Sequence, residues 1–304
     1  MHPRLLTALV IASVVAPVCA IAFARQQPTF RVGVDLVAVD VSVTRNVEPV
    51  AGLKVENFEV LDNGVKQKLE RVIHEQVPLE AFLVLDMSGS VAGAELEQLK
   101  AAASAFVAGL TPQDKVALVT FAQQASVAQP LTADFDAFGR ALAAVQAGGN
   151  TAIYDATRLA ITMRKPGDTR GVAVVFTDGM DNASTTSAKA VVDAAEHSDL
   201  VVYGVAASPA GSSRGFGIPD LRGQFQVGFL RSLADTTGGR VFNAATGPRL
   251  KQVFALILDD IRARYLLTYY PDKVAAGWHK LQVKLNGVKG DVLARRGYYA
   301  ATPR

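Results

Sequence analysis

Four short runs of unbroken apolar residues constrain this chain more than any other feature. They are Ala81-Phe82-Leu83-Val84-Leu85, Val116-Ala117-Leu118-Val119, Val172-Ala173-Val174-Val175-Phe176 and Leu200-Val201-Val202-Tyr203. A strand with one wet face alternates apolar and polar residues. A strand that is apolar at every position has both faces covered, as in a parallel sheet layered between helices. Helical spacing accompanies the runs. Leu96, Leu99, Ala103, Phe106, Val107 and Leu110 share one helix face, and Leu250, Val253, Phe254, Ile257, Leu258 and Ile261 share another. Strands alternating with helices predict an α/β fold with a doubly wound, mostly parallel sheet over residues 79–264.

The flanks follow a different rule. Phe30, Val32, Val34 and Leu36 alternate, and the alternation resumes out of phase on Val37, Val39, Val41 and Val43, which predicts a bulge or bend near Leu36. Asp62-Asn63-Gly64 lies between the short strand-like runs Phe58 to Leu61 and Val65 to Leu69. Asn-Gly suits a hairpin turn, whose two central residues need positive φ. Leu281, Val283 and Leu285 alternate near the other end, before Asn286-Gly287, with Val292-Leu293-Ala294 beyond. Either flank alone is short for an independent core. We expect residues 25–78 and 265–304 to pack together as one small β-sandwich, with the α/β domain inserted between them.

Residues 1–24 have the layout of a secretory signal peptide. Arg4 precedes an apolar run from Leu5 to Val15, and Ala22-Phe23-Ala24 forms an A-x-A cleavage pattern before Arg25. An exported protein, periplasmic or extracellular, is expected, with no transmembrane segment left after cleavage. Cys19, the single cysteine of the 304 residues, falls in that segment, so no intrachain disulfide framework is available. The formal charge of +3 is too small for a dedicated nucleic-acid binder, and no nucleic-acid partner is expected. The four histidines are far apart in sequence and show no zinc-ligand spacing.

Chemistry gathers in three loops. One apolar run ends in Asp86-Met87-Ser88-Gly89-Ser90, and another in Phe176-Thr177-Asp178-Gly179. Gly148-Gly149-Asn150-Thr151-Ala152 precedes a helical segment between them. In open α/β sheets, ligands bind beyond the carboxyl ends of the strands. Convergence there would unite two carboxylates, Asp86 and Asp178, with three hydroxyls, Ser88, Ser90 and Thr151. These are hard oxygen donors, without sulfur or imidazole, and suit Mg²⁺, Mn²⁺ or Ca²⁺.

DMSGS resembles the D-x-S-x-S signature of von Willebrand factor A-type domains, also called integrin I-like domains. Thr151 in GGNTAIYDA and Asp178 in FTDGMDN stand where that family has its distant Thr and Asp. The whole chain also resembles a set of bacterial exported proteins in which this domain carries flanking β segments. Matching stretches are Glu56 to Val60 with Asp62-Asn63-Gly64, Thr237-Gly238-Gly239-Arg240, Tyr265 to Pro271, and Arg295-Arg296-Gly297-Tyr298. The resemblance implies a metal-ion-dependent adhesion site. Ser88, Ser90 and Thr151 would place hydroxyls on a divalent cation, Mg²⁺ foremost, and Asp86 and Asp178 would act directly or through water. It implies a protein partner that presents a Glu or Asp to the metal, and no catalytic residues.

Two alternatives belong to other classes. A phosphatase-like hydrolase would use Asp86 as nucleophile, but Ser88 stands where the haloacid-dehalogenase pattern has a second Asp, and no P-loop is present. A metal-independent structural envelope protein would use Asp86, Ser88 and Ser90 only as a capping loop. Asp181 and Asn182 either cap the next helix, the preferred reading, or line the rim of the site. Asp155 either supports Thr151 or faces solvent. The long stretch from Ala207 to Gly228, with Arg214, Phe216 and Arg222, is either a specificity loop or a surface excursion.

Overall fold

The computed structural model describes residues 36–46, 48–74, 77–208, 221–245, 248–272 and 275–300. The first strands are β1 (Val37–Arg45), β2 (Glu48–Pro49), β3 (Phe58–Asp62), β4 (Val65–Gln67) and β5 (Leu69–Ile73). An α/β succession follows: β6 (Leu79–Asp86), α1 (Ala94–Ala108), β7 (Lys115–Phe121), β8 (Ala125–Thr132), α2 (Phe135–Ala144) and α3 (Ile153–Met163). It continues through β9 (Arg170–Thr177), α4 (Ala188–Glu196), β10 (Val201–Ser208), α5 (Leu221–Thr237), β11 (Val241–Ala245) and α6 (Pro248–Arg262). The last strands are β12 (Tyr265–Tyr269), β13 (Gly277–Leu285), β14 (Asp291–Ala294) and β15 (Gly297–Ala300).

The apolar runs become the inner strands of a six-stranded sheet ordered β11-β10-β9-β6-β7-β8. All its pairings are parallel except that of β7 with the edge strand β8. Every residue of β9 is buried, as continuous apolarity requires. Side chains alternate between two cores because successive Cβ atoms point to opposite faces. Leu79, Ala81, Leu83 and Leu85 pack with α1, α2 and α6, whereas Phe82 and Val84 pack with α3, α4 and α5. The sheet is therefore doubly wound. Strands β8 and β11 carry no predicted run. Strand β8 is an exposed edge, and its sequence, with Pro130, lacks a continuous apolar stretch.

The flanks form two antiparallel sheets, ordered β14-β1-β12-β5, with β2 beside β1, and β15-β13-β3-β4. Each takes strands from both ends of the chain. Their shared core contains Val39, Val41, Val43, Phe58, Val60, Tyr265, Leu267, Tyr269 and Leu281. Asn63 and Gly64 have φ of 49° and 81°, so β3 and β4 form the expected hairpin. Asn286-Gly287 does not form one: β13 pairs with β3 and β15, while β14 pairs with β1, so this turn carries the chain between sheets. Phe30 to Val34, the strand expected before the bulge near Leu36, lie outside the described residues, as does the 1–24 segment.

Buried polar groups join the antiparallel sheets to the base of the α/β sheet. Arg170, at the start of β9, donates to Asp40 Oδ1 on β1 at 2.6 Å and to the Ile261 carbonyl at 3.1 Å. Arg264 is fully buried and donates to the Gly238 carbonyl at 2.8 Å. Gly238 has φ of +78°, and a Cβ there would lie 2.5 Å from the backbone of Ala294 and Arg295. Two stretches of the family resemblance, at 237–240 and 295–298, therefore meet here.

Candidate functional site

Strand β6 delivers Asp86 to the carboxyl edge of the sheet, and a 3₁₀ turn at Gly89–Val91 leads from there to α1. Asp86 is fully buried. Its Oδ1 accepts from the Ser88 amide at 2.8 Å and its Oδ2 from the Thr177 hydroxyl at 2.6 Å. Thr177, the last residue of β9, carries no motif of its own in the sequence, although it adjoins Asp178. Its hydroxyl also accepts from the Gly179 amide at 3.2 Å, so it holds the second loop against the first.

The loops converge as expected. The Ser88 and Ser90 hydroxyl oxygens are 3.0 Å apart, and Ser90 Oγ donates to Asp178 Oδ1 at 2.8 Å. The Gly89 amide donates to the Gly149 carbonyl at 3.0 Å, and the Gly148 amide to the Met87 carbonyl at 2.8 Å, which ties in the third loop. Thr151 sits beside the second loop: a Cβ on Gly179 would lie 3.4 Å from Thr151 Oγ1. Asp86, Ser88, Thr151 and Asp178 are buried and Ser90 is exposed, so the cluster opens to the surface on the Ser90 side.

Asp181 and Asn182 do not cap the next helix, α4, whose start is capped by Ser187 accepting from the Ala190 amide. They turn back to α3 instead. Asn182 Oδ1 accepts from the Thr151 amide at 2.8 Å, the Asn182 amide donates to the Thr151 carbonyl at 2.9 Å, and Asp181 Oδ2 accepts from the Tyr154 amide at 3.1 Å. The physical reason is that the first turn of a helix leaves amides unpaired, and here the nearest free acceptors come from a neighbouring loop. Asp155 holds that loop by accepting from the Thr185 and Thr186 amides, both at 2.9 Å, and makes no hydrogen bond to Thr151.

The electrostatics are one-sided. No Lys, Arg or His pairs with Asp86 or Asp178 among the described residues. Burial pushes the Asp86 carboxyl up to about 6 against the hydrogen bonds from Ser88 and Thr177, and the Asp178 charge adds to the rise. Burial also raises Asp178, against its bond from Ser90. Glu95 in the first turn of α1 is raised by burial and by the Asp178 charge. Among the described residues no three His, Cys, Asp or Glu side chains converge, so any cation here would rely on hydroxyls as much as on carboxylates.

Residues 209–220 lie outside the described residues, and with them most of the proposed specificity loop, including Arg214 and Phe216; of Arg222 only the backbone, in α5, is described. Gly211-Ser212-Ser213-Arg214-Gly215 spells G-x-S-x-G, the string of a hydrolase nucleophile elbow. An elbow sits directly between a strand and a helix, whereas Ser213 stands apart in sequence from both the end of β10 at Ser208 and the start of α5 at Leu221.

Residues 81–180 match the family model of the von Willebrand factor type A domain. A comparison with curated proteins finds no match. Among solved structures, a von Willebrand factor type A protein from Catenulispora acidiphila is similar, with a TM-score of 0.50 and 15% identity over 86% of this chain and 74% of that one. Proximal thread matrix protein 1 of the mussel byssus is similar with a TM-score of 0.52 and 17% identity, over 66% of this chain and 50% of that one. At such identities these likenesses speak to the fold. The doubly wound sheet, the three loops at its carboxyl edge and the match over residues 81–180 agree: the chain contains a von Willebrand factor type A domain, carried beside an antiparallel β-sandwich.

Proposed function

We propose that this is an exported protein-binding module in which Asp86, Ser88, Ser90, Thr151 and Asp178 hold a divalent cation that receives a Glu or Asp side chain from a partner protein. One observation carries the proposal. Two buried carboxylates without a basic partner among the described residues face a hydrogen-bonded hydroxyl pair at the one edge of the sheet where this fold places ligands. Leaving such charges unpaired in the interior is costly, and a cation removes the cost.

The donor chemistry selects the ion class. Carboxylate and hydroxyl oxygens suit Mg²⁺, Mn²⁺ or Ca²⁺, and the absence of thiol and imidazole in the set disfavours soft metals; the family resemblance puts Mg²⁺ first. The mussel byssus protein is described with a zinc-occupied MIDAS motif, so a related site in that protein accepts a divalent ion. When bound, the cation would supply Lewis acidity toward a carboxylate oxygen. Asp86 and Asp178 balance its charge, Ser88, Ser90 and Thr151 give neutral ligands, and Thr177 and Asn182 keep the loops in register. Neutral ligands leave net positive charge on the ion, which favours an anionic partner group. Export rests on the apolar run Leu5 to Val15 and on Ala22-Phe23-Ala24.

The test is calorimetry with Mg²⁺ or Mn²⁺ on the wild type, Asp86→Ala and Ser88→Ala, followed by a pull-down from envelope and secreted fractions with Mg²⁺ or with chelator. The expected result is saturable ion binding lost in both variants and chelator-sensitive capture of a partner lost in Asp86→Ala. Equal ion affinity in all three proteins would overturn the metal assignment. Metal-dependent phosphate ester hydrolysis that disappears in Asp86→Asn would replace binding with catalysis.

A further inference from the structure

A second charged cluster lies in the antiparallel sandwich, remote in sequence from the loops above. Asp62, the last residue of β3, and His279 on β13 are both nearly fully buried. His279 Nδ1 is 2.7 Å from Asp62 Oδ1, and Nε2 is 2.7 Å from the Ala275 carbonyl oxygen. A carbonyl oxygen can only accept, and so can an ionised carboxylate. With Asp62 ionised, both ring nitrogens carry hydrogen, and a ring protonated at both is an imidazolium; the Tyr298 hydroxyl oxygen also lies 3.3 Å from Nδ1.

Asp62 is equally committed. Its Oδ2 accepts from the Tyr269 hydroxyl at 2.9 Å and from the Tyr298 hydroxyl at 2.8 Å. Tyr298 is the register partner of His279 on β15, and their rings are 4.9 Å apart. Tyr269 belongs to β12, in the other antiparallel sheet. One carboxylate thus ties three strands of the second sheet to one strand of the first. Burial raises both tyrosines, which keeps them as donors at neutral pH. Burial works against the charge on His279, but the Ala275 carbonyl and Asp62 outweigh it and the net direction is upward. Among the described residues, the titratable groups facing this ring are Asp62 and Tyr298, with Tyr269 reached through Asp62.

We propose that Asp62 and His279 form a proton-controlled latch between the two antiparallel sheets, closed while the ring carries both protons and released when one leaves to solvent. Neutral imidazole keeps a single N–H. Either the Ala275 carbonyl then faces a lone pair, or Asp62 Oδ1 loses its donor inside the core. Each outcome loosens the β13–β15 end, and the shared oxygen of Asp62 passes that loosening to Tyr269. The direction follows from linkage. A base whose folded pKa is raised contributes fully below its ordinary value, here 6.5, and the contribution is lost as pH rises through the folded value.

The test uses the full chain. Ring resonances of the histidines are followed by NMR from pH 5 to about 10, and denaturant midpoints are measured between about pH 6.5 and 9.5 for the wild type, Asp62→Asn and Tyr298→Phe. His279 should show both ring nitrogens protonated at neutral pH and titrate above 6.5. The wild-type midpoint should fall across the range, by up to tenfold in the unfolding constant for each pH unit separating the folded and unfolded pKa values. Asp62→Asn should flatten that slope and lower the His279 titration, and Tyr298→Phe should shift it by less. A wild-type His279 that titrates at or below 6.5 overturns the latch, and so does an equal slope in wild type and Asp62→Asn. If Asp62→Asn does not fold, the wild-type titration alone decides.

Discussion

The Ser90 hydroxyl donates to Asp178 Oδ1 at 2.8 Å, although 88 positions separate the two residues. The contact joins the end of one buried strand to the end of another. It also aligns Ser90 with Ser88, whose oxygen is 3.0 Å away. Removing it with Ser90→Ala should weaken Mn²⁺ binding by about ten- to a hundredfold, the usual cost of losing a ligand or its support. Calorimetry beside an unchanged circular dichroism spectrum would verify this. Undiminished affinity would show that Ser90 stands outside the site.

An ion that binds only the folded chain must stabilise it. At a hundredfold excess over its dissociation constant the gain is about 2.7 kcal/mol. Thermal unfolding with Mg²⁺ and with chelator should therefore differ by several degrees in the wild type. The difference should vanish in Asp86→Asn, where the fully buried carboxylate becomes a neutral amide.

Asn182 hydrogen-bonds the backbone of Thr151, accepting from its amide and donating to its carbonyl. Asn182→Ala keeps the backbone donor and loses the side-chain acceptor. A stability cost of about 1 kcal/mol is expected, together with weaker ion binding because the Thr151 loop loses its anchor. Chemical denaturation and ion titration report the two effects separately. A stability loss with unchanged ion affinity would mean that Thr151 is positioned without Asn182.

Asp114 reports on acid stability. Its buried carboxylate accepts from the Leu79 amide at 2.8 Å and the Thr111 amide at 2.6 Å, and it pairs with Arg262 at the end of α6. Burial opposes the charge, but Arg262, Leu79 and Thr111 outweigh it and hold the carboxyl below its ordinary 3.8. A depressed acid contributes stability above the unfolded value and loses it as pH falls through the folded one. Asp114→Asn should cost roughly 3 kcal/mol at neutral pH, as for a broken buried pair. Below the ordinary carboxylate range the variant should approach the wild type. Urea midpoints from pH 7 down to about pH 3 measure both limits.

Two glycines with positive φ separate backbone strain from packing. Gly64 at +81° has open space where an added methyl would sit, whereas Gly238 at +78° would press a methyl against Ala294 and Arg295. Gly64→Ala should cost about 1 kcal/mol from conformation alone. Gly238→Ala should cost at least about 3 kcal/mol because backbone must move. Similar melting temperatures for the two variants would contradict the tight contact at Gly238.

The residues themselves disclosed the strands whose two faces are both buried. Strands β6, β7, β9 and β10 are apolar at nearly every position because helices cover each side, and the chemistry of burial is written locally. The Asn63-Gly64 hairpin was legible for the same reason, since positive φ is a property of those residues. Strand β8 was not legible: an exposed edge tolerates polar residues and Pro130, and only its pairing with β7 makes it a strand. Asn286-Gly287 is the same dipeptide, yet its flanking strands pair elsewhere, which local sequence does not encode.

The sequence by itself determined the composition of the metal-site candidate, because donor hardness belongs to the side chains and strand ends to their neighbours. Tertiary structure decided what holds those donors. Thr177 clamps Asp86, Asn182 and Asp181 reach back to α3 instead of capping α4, and Asp62 joins two sheets through groups from β12, β13 and β15. Each of these bonds links residues distant in the chain. Its energy depends on burial and geometry that exist only once the sheets have formed, and no spacing along the chain can state it.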